Sequence, residues 1–497
     1  MSVSFNTIPS GIRVPLFYAE MDNSQAATPT NQTASLIIGQ MLESGTAEAG
    51  KPVFVSTAAM AKSLFGRGSM LARMVDAYRK VDSFGQLVCI PVADGENSGA
   101  ASGKAEISGT ALEAGTLNFY VGGERVQVAV AEGDTAAKIA QALGDAITVV
   151  KDLPVTASAN EGACTVNAKQ KGTVGNGIQL AVNLRGPING ETLPSGISVE
   201  ITQMAGGTAD PDLTAAFDAM GDESYDFVGC PYCDAATLDK LAEKMNDTSG
   251  RWSPFQMLFG HVYTAKRGDV NALVAFGKTR NNQHETVVGI EPKLPTHAAE
   301  ALAAYLARAS VFISADPARP TQTGVLTGVM ASPEGSRFAQ TDRQTLLENG
   351  IATLYTISGS VMIERAITTY QKNSFGDADA SYLDSETLHT SAYVLRQMKS
   401  IITSKYARHK LASDGTRFGA GQAIVTPSVI RGELIALYRR LELEGIVENA
   451  DLFKKYLIVE RNVNNPNRLD VLFPPDYVNQ LRIFAVLNQF RLQYSEE

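Results

Sequence analysis

Residues 225–246 read Y-D-F-V-G-C-P-Y-C-D-A-A-T-L-D-K-L-A-E-K-M-N, and the architecture of the chain can be worked out from this stretch. Its first part, 225–229, is a short apolar run that predicts a buried strand, whereas 234–246 has the pattern of an amphipathic helix. A buried strand followed by such a helix is the repeating unit of a parallel sheet covered on both faces. The stretch therefore predicts an α/β protein.

The same alternation of strands and helices extends in both directions along the chain. Further strands are predicted at 35–39, 86–92, 255–261 and 285–290. Further helices are predicted at 56–65, 69–81, 269–278 and 297–309. Together these segments predict a central, mostly parallel α/β sheet domain.

Residues 96–210 differ from their surroundings, because they are rich in Gly, Ala, Thr and Val. Short alternating segments at 116–121, 124–130 and 164–168 predict strands, and Gly122-Gly123 predicts a hairpin turn between the first two. One helix is predicted at 135–146. We interpret this block as a β-rich domain inserted at the edge of the central sheet and facing outward.

The last third of the chain predicts an α+β region that carries strands near the terminus. Helices are predicted at 341–349, 386–411 and from Pro427 to about residue 444, and strands at 351–357, 361–367, 456–461, 468–473 and 480–494. The predicted division is an N-terminal strand arm at 1–33, an α/β domain in two parts at 34–95 and 211–340, the insertion at 96–210 and a C-terminal assembly domain at 341–497.

Bulk properties exclude several classes of protein. A chain of 497 residues with a net charge of −9 lacks the overall basic character expected of a protein that wraps nucleic acid. The first residues do not resemble a secretory signal, and no apolar run approaches the ~20 residues that span a bilayer. Four Cys in so long a chain favour a reducing compartment over a disulfide scaffold.

The strongest enzymatic motif is Cys230-Pro231-Tyr232-Cys233, which follows a predicted strand and precedes a predicted helix. This context lowers the pKa of a thiol in thioredoxin-like oxidoreductases. The motif lies in the middle of a larger α/β pattern, however, so a half-buried turn is the favoured interpretation and a thiol–disulfide oxidoreductase the alternative. The five His have no metal-site spacing. We therefore predict no catalytic residues, no metal and no cofactor.

The predicted helix 386–411 is both amphipathic and basic, since no acidic residue occurs between positions 387 and 413. Its basic residues are Arg396, Lys399, Lys405, Arg408 and Lys410. They form either a solvated face or a docking face for an acidic partner, with DNA as a weaker alternative, and the excess of basic residues from position 386 onward favours docking.

The segment 480–494 has the alternation of an unusually long strand. Its apolar residues divide between two faces, with Leu481, Ile483 and Leu487 on one and Phe484, Val486 and Phe490 on the other. At the other end of the chain, Val3 and Phe5 alternate with polar residues in the same way. Such chain ends must pair, either within their own domain or with the sheet of a neighbouring copy, and we favour exchange between copies.

Several segments resemble the tail-sheath proteins of Mu-like phages. They are 8–20 (I-P-S-G-I-R-V-P-L-F-Y-A-E), 348–354 (E-N-G-I-A-T-L), 364–371 (E-R-A-I-T-T-Y-Q), 459–461 (V-E-R) and 467–481 (N-R-L-D-V-L-F-P-P-D-Y-V-N-Q-L). The length and the order of these segments also fit, so the resemblance covers the whole chain.

The resemblance implies a structural protein without enzymatic activity. Sheath subunits form stacked six-membered rings around a tail tube in a metastable extended state, and contraction drives the tube through the host envelope. The implied partners are further copies of the chain, the tail tube protein, and baseplate and tail-terminator proteins. Neither membrane insertion nor direct nucleic-acid binding is implied. Assembly would occur in the host cytoplasm and the product would be the virion tail; another component of a contractile injection machine is the remaining structural alternative.

The resemblance also assigns surfaces to particular residues. Strand exchange would involve Val3 and Phe5 at one end of the chain and the apolar residues of 480–494 at the other. The basic helix would then be a candidate surface facing the tube.

Overall fold

The computed structural model describes residues 33–419 and 421–492, so Val3, Phe5 and nearly all of the predicted arm 1–33 lie outside the described residues. The strands in this part of the chain are β1 (Ala34–Gln40), β2 (Val53–Phe54), β3 (Gln86–Val92), β4 (Ala100–Gly109), β5 (Gly115–Val121), β6 (Glu124–Val130), β7 (Val155–Asn160), β8 (Ala163–Lys171), β9 (Leu180–Val182), β10 (Ile197–Ala205), β11 (Phe227–Gly229), β12 (His261–Arg267), β13 (Glu285–Ile290), β14 (Val325–Met330), β15 (Ile351–Ile357), β16 (Ser360–Arg365), β17 (Lys410–Leu411), β18 (Ile424–Val425), β19 (Ile458–Arg461) and β20 (Leu469–Leu472). The α-helices are α1 (Ala58–Phe65), α2 (Met70–Val81), α3 (Ala136–Val149), α4 (Thr214–Asp218), α5 (Ala235–Met245), α6 (Val270–Gly277), α7 (Ala298–Ala315), α8 (Gln340–Glu348), α9 (Ser385–Tyr406), α10 (Pro427–Leu443) and α11 (Ala450–Tyr456).

A nine-stranded mixed sheet forms the centre of the molecule, in the order β14-β16-β15-β13-β12-β11-β1-β3-β2. The six strands from β15 to β3 run parallel, whereas β2, β16 and β14 pair antiparallel at the two margins. The predicted α/β class with a mostly parallel central sheet is therefore confirmed. The stretch 225–246 supplies β11 and α5, and the carboxylate of Asp234 caps α5 by accepting from the Thr237 N–H at 2.9 Å.

Helix α7 is the principal core helix. It packs against α2, and Leu302, Tyr305 and Leu306 are fully buried. By length and mean hydropathy (1.3), it is the one helix in the described part of the chain that could cross a membrane, but most of it is enclosed by protein. An apolar surface on all sides is what a core helix of a large soluble domain also requires.

The block 100–205 folds into two antiparallel sheets of its own, β10-β4-β8-β7 and β6-β5-β9. Helix α3 and the two sheets enclose a separate core that includes Leu117, Phe119 and Leu143. The chain enters and leaves this block side by side, since Gly99 and Thr208 form an antiparallel bridge with N–O distances of 3.0 and 3.2 Å. These features match the predicted β-rich insertion.

The insertion and the C-terminal region lie at opposite ends of the parallel strands of the central sheet. The insertion follows the carboxyl end of β3, whereas α9 reaches Asp226, directly before β11, at the amino edge. Helices α9, α10 and α11 share a C-terminal core that includes Leu437, Tyr438 and Phe453.

The structure corrects three expectations. The strand predicted at 255–261 is wrong, because β12 begins only at His261 and turns precede it. Strands β15 and β16, expected in the C-terminal domain, pair within the central sheet, so the predicted division at residue 340 falls inside that sheet.

The third correction concerns the predicted basic helix. Helix α9 ends at Tyr406 and not at residue 411, so Arg408 and Lys410 lie beyond it, with Lys410 in β17. The described part of 480–494 pairs with no strand of its own subunit, and the exchange of this segment between copies stays a prediction.

Candidate assembly surfaces

The C-terminal segment 483–492, which we call the C-terminal arm, exposes nearly every apolar side chain it carries. The exposed fractions are 81% for Ile483, 81% for Phe484, 68% for Val486, 91% for Leu487 and 76% for Phe490. Leu481, just before the arm, is 71% exposed. A monomer rarely leaves so continuous an apolar surface uncovered, so this segment marks an interaction site.

A second incomplete element lies nearby in the sequence. Strands β19 and β20 form a two-stranded antiparallel sheet, with Ile458 opposite Leu472 and Arg461 opposite Leu469. Among the described residues no third strand joins either edge. An isolated pair of strands is marginal in water and its edges are templates for a further strand.

The predicted basic residues fall into two groups in the structure. Arg396 points toward the central sheet, where its Nη1 donates to Oδ1 of Asp226 and its guanidinium lies 5.7 Å from the ring centre of Phe259. Lys405 donates to Glu433 of α10 at 2.6 Å. Lys399, Arg408 and Lys410 are exposed and are not drawn into an ion pair within the described part of the chain.

Helix α9 is held against the central sheet by a buried aromatic cluster as well as by Arg396. Nε2 of His389 lies 2.9 Å from the Tyr263 hydroxyl, and the His389 ring stacks on Phe227 with 4.8 Å between centroids. His261 lies 5.7 Å from His389, measured between ring centroids. Burial lowers the pKa of His389 to about 3 and that of His261 well below its usual value, so both imidazoles are neutral at pH 7.

The Cys230–Cys233 turn lacks the electrostatics of a redox centre. Cys230 is fully buried, and burial raises the pKa of its thiol to about 12. Burial also raises the pKa of Cys233, against the opposing effect of Lys266, whose Nζ lies 3.9 Å from Sγ. A catalytic thiol needs a lowered pKa and access to solvent, so these residues fit the structural interpretation. No cluster of three or more potential metal ligands occurs in residues 33–419 and 421–492.

Sequence reasoning missed a buried ion cluster at the base of the C-terminal arm. Arg482 binds Asp384 and Glu386 at the start of α9, and Glu386 is fully buried. The sequence signal was Arg482 itself, one of two arginines in the alternation of 480–494, and it could not identify partners almost 100 residues away.

Comparison with known protein families assigns the class of protein. Residues 206–369 match the phage tail sheath protein central domain, and residues 377–491 match the phage tail sheath C-terminal domain. The sheath tail protein of Desulfitobacterium hafniense superposes with a TM-score of 0.50 at 10% identity, covering 94% of this chain and 97% of that one. A sheath tail protein of Listeria innocua superposes with a TM-score of 0.49 at 12% identity, covering 90% of this chain and 92% of that one.

A full-length relative narrows the class further. The chain is 40% identical over 495 residues to the Mu-like prophage FluMu tail sheath protein of Haemophilus influenzae, covering 99% of this chain and all of that protein. This chain belongs to the tail-sheath proteins of Mu-like phages. It is thus a structural component of a phage tail, and the family resemblance seen in the sequence is confirmed.

Proposed function

We propose that the chain assembles into six-membered rings stacked around a tail tube, and that the stack contracts to drive the tube through the host envelope. The extended state is metastable, so contraction consumes no nucleotide and requires no catalytic residue. Assembly takes place in the host cytoplasm, with baseplate and tail-terminator proteins bound at the two ends of the stack. The chain neither inserts into a membrane nor binds nucleic acid directly.

The exposed C-terminal arm is the observation that carries this proposal. Fully extended, its ten or so residues reach about 33 Å, which is far enough to leave the subunit and pair with another. The apolar side chains that are exposed in one copy would become buried on its neighbour. Each such side chain gains about 1.5–3 kcal/mol on full burial, so the arm carries a large share of the association energy.

The β19–β20 sheet is the acceptor we propose for the arm. Its strands are four residues long, so one added strand gains a ladder of about four hydrogen bonds, each contributing about 1 kcal/mol net. The N-terminal segment with Val3 and Phe5 would pair at the opposite edge. Exposed ion pairs between subunits contribute only about 0–1 kcal/mol each, so polar contacts can rearrange while the strand links persist.

The proposed tube-facing surface now consists of Lys399, Arg408 and Lys410, since Arg396 and Lys405 already form ion pairs with carboxylates of their own subunit. An acidic surface on the tube protein would complement these three charges. Their exposure makes the attraction sensitive to salt.

Removal of the C-terminal arm tests the strand exchange. We expect the full chain to form hollow cylinders of uniform width in negative-stain electron microscopy, and a chain ending at Arg482 to remain a folded monomer. Ile483→Asp should weaken assembly in the same direction. Ile188→Asp is the matched control, because Ile188 is 99% exposed on the insertion and is not part of the arm. Normal cylinders from the truncated chain would refute the strand exchange.

Charge reversal tests the tube-facing surface. A chain carrying Lys399→Glu, Arg408→Glu and Lys410→Glu should still form cylinders alone but should fail to coat tubes of the tail tube protein. The control carries Lys51→Glu, at another exposed lysine that lies near the start of the central domain and pairs with Glu48 at 2.7 Å. Normal coating by the triple variant would eliminate this surface while leaving the self-assembly proposal intact.

A further inference from the structure

The chain that leads to the C-terminal arm is fixed step by step before it leaves the fold. Tyr477 forms an antiparallel bridge with Val447, and the Val478 N–H donates to the Ile446 carbonyl at 3.2 Å. The side-chain amide of Gln480 then donates to the carbonyl of Ala318 at 2.8 Å. By residue 480 the chain has therefore passed from the C-terminal core to the loop that follows α7.

Arg482 forms the next contact along the chain, and its side chain is largely buried. Its Nη2 donates to Oδ1 of Asp384 at 3.1 Å and to Oε1 of Glu386 at 3.2 Å, and its Nη1 donates to Gln322 at 3.2 Å. The side chain is only 11% exposed. Leu481 and Ile483 on either side point outward, as expected for an extended segment with one face on the protein.

The two carboxylates depend on Arg482 to different degrees. Asp384 already receives two hydrogen bonds from Arg365, at 2.8 and 2.9 Å. Glu386 is fully buried, and in the described structure Arg482 is its one cationic partner. Its other donors are the amide and hydroxyl of Thr321, both at 2.9 Å, and the hydroxyl of Ser385 at 3.4 Å. A buried carboxylate needs a positive partner, so the Glu386 site holds Arg482 firmly.

The position of this contact determines which part of the subunit a load on the C-terminal arm would reach first. The partners of Arg482 lie in the loop after α7 and at the start of α9, both of which pack on the central sheet. A pull on the C-terminal arm would thus reach the nine-stranded central sheet through these two segments.

We propose that Arg482 is the positioning residue of the C-terminal arm, fixing the point and the direction in which the arm leaves the subunit. This inference rests on the proposed strand exchange. Without the contact to Glu386 the departure point shifts back to Gln480 or further, and the arm samples directions that do not reach the neighbouring acceptor. The loss of this pre-organisation weakens assembly although the arm itself is unchanged.

The test uses the full chain with Arg482→Gln, the arm-truncated chain and the wild type. Arg482→Gln should raise the concentration needed for cylinder formation about tenfold or more, because a charge-assisted contact is lost. For Arg482→Lys, the concentration needed for cylinder formation should fall between those of the wild type and of Arg482→Gln, because lysine keeps the charge but not the contact to Gln322. If the truncated chain assembles normally, the strand exchange itself fails. If truncation prevents assembly but Arg482→Gln assembles at the wild-type concentration, the exchange stands and the role of Arg482 is overturned.

The double variant Arg482→Gln, Glu386→Gln separates positioning from charge compensation. It leaves no uncompensated carboxylate at position 386, and a glutamine at position 482 is too short to restore the bridge. A monomer that unfolds at the wild-type temperature but still needs the higher concentration for assembly supports positioning. Wild-type assembly by the double variant would mean that Arg482 serves only to neutralise Glu386.

Discussion

The insertion and the C-terminal region differ in how far they bury their own apolar side chains. The insertion encloses Leu117, Phe119 and Leu143 in a core of its own, and its exposed large apolar residues are few and scattered. The C-terminal region also has a core, but it leaves the C-terminal arm exposed, and no third strand of the described residues pairs with either edge of the β19–β20 sheet. One region is completed by its own chain, whereas we propose that the other is completed by the chain of a neighbour.

This difference separates the stability of the subunit from the stability of the assembly. Side chains buried within one copy contribute to the free energy of unfolding of the monomer. Side chains exposed in the monomer contribute only when a second copy covers them. Substitutions in the insertion core should therefore change the free energy of unfolding of the monomer, whereas substitutions in the C-terminal arm should change the concentration needed for assembly.

Truncation of one phenylalanine in each region gives the largest expected contrast. Phe119→Ala should lower the free energy of unfolding of the insertion by about 3–5 kcal/mol, because Phe119 is fully buried. Phe484→Ala should leave the thermal unfolding of the monomer nearly unchanged and weaken cylinder formation. Calorimetry and electron microscopy of both variants check this; a large loss of monomer stability in Phe484→Ala would mean that the arm packs on its own subunit.

Removal of Arg396 should have the next largest effect, because this residue joins α9 of the C-terminal region to the central sheet. Arg396→Gln leaves Asp226, which is 7% exposed, without its cation and should cost about 3 kcal/mol in chemical denaturation. The double variant with Asp226→Asn should recover part of this loss. If the single variant is as stable as the wild type, α9 does not rely on this ion pair.

Acidification should weaken the same junction by an intermediate amount. The pKa of His389 is depressed to about 3 in the folded chain against 6.5 when unfolded, so the unfolded state binds more protons between these values and stability falls as pH decreases through that window. From pH 7 to pH 5 the loss from His389 alone is about 2 kcal/mol.

Hydrogen exchange locates the acid effect. Amides around 385–396 should lose protection at pH 5, after correction for the intrinsic exchange rate, whereas those of the insertion core, which contains no histidine, should keep it. His389→Gln is the control, because it retains a hydrogen-bonding partner for Tyr263 but does not titrate. Equal pH dependence in wild type and His389→Gln would contradict the assignment.

The smallest effect is expected at the exposed ion pair between Lys405 and Glu433. Lys405 is 55% exposed, so Lys405→Gln should cost less than about 1 kcal/mol, and 0.5 M salt should reduce even that difference. Denaturant titrations at low and high salt measure it. A loss as large as that of Arg396→Gln would show that this pair is part of the core of the C-terminal region.

The sequence predicted local elements well where the pattern and the burial agreed. Strand β3 has the predicted bounds, as does β13, since continuous apolar runs are characteristic of buried parallel strands. The assignment of β15 and β16 failed for a physical reason. Their alternation specifies a strand but not its neighbour, and the parallel pairing of β15 with β13 joins segments about 60 residues apart.

The candidate surfaces were predictable only as sets of residues. Helical periodicity grouped Arg396 with Lys399, but it could not reveal Asp226, which lies 170 positions earlier in the chain. Likewise, alternation in 480–494 indicated strand character, although the segment has no strand partner in the described part of its own subunit. Pattern reports the conformation a segment prefers, whereas the partner depends on tertiary and quaternary contacts.

The bridge between Gly99 and Thr208 has an evolutionary consequence. Because the insertion begins and ends at neighbouring points, a single recombination event could remove or replace the codons for 100–207 without changing the order of strands in the central sheet. Because the insertion has a closed core of its own, it could be exchanged as a unit. The carboxyl end of β3, where it joins the central sheet, is a position at which such an exchange would leave the sheet intact. Selection on the insertion could then proceed independently of selection on the parts that we propose join one subunit to the next.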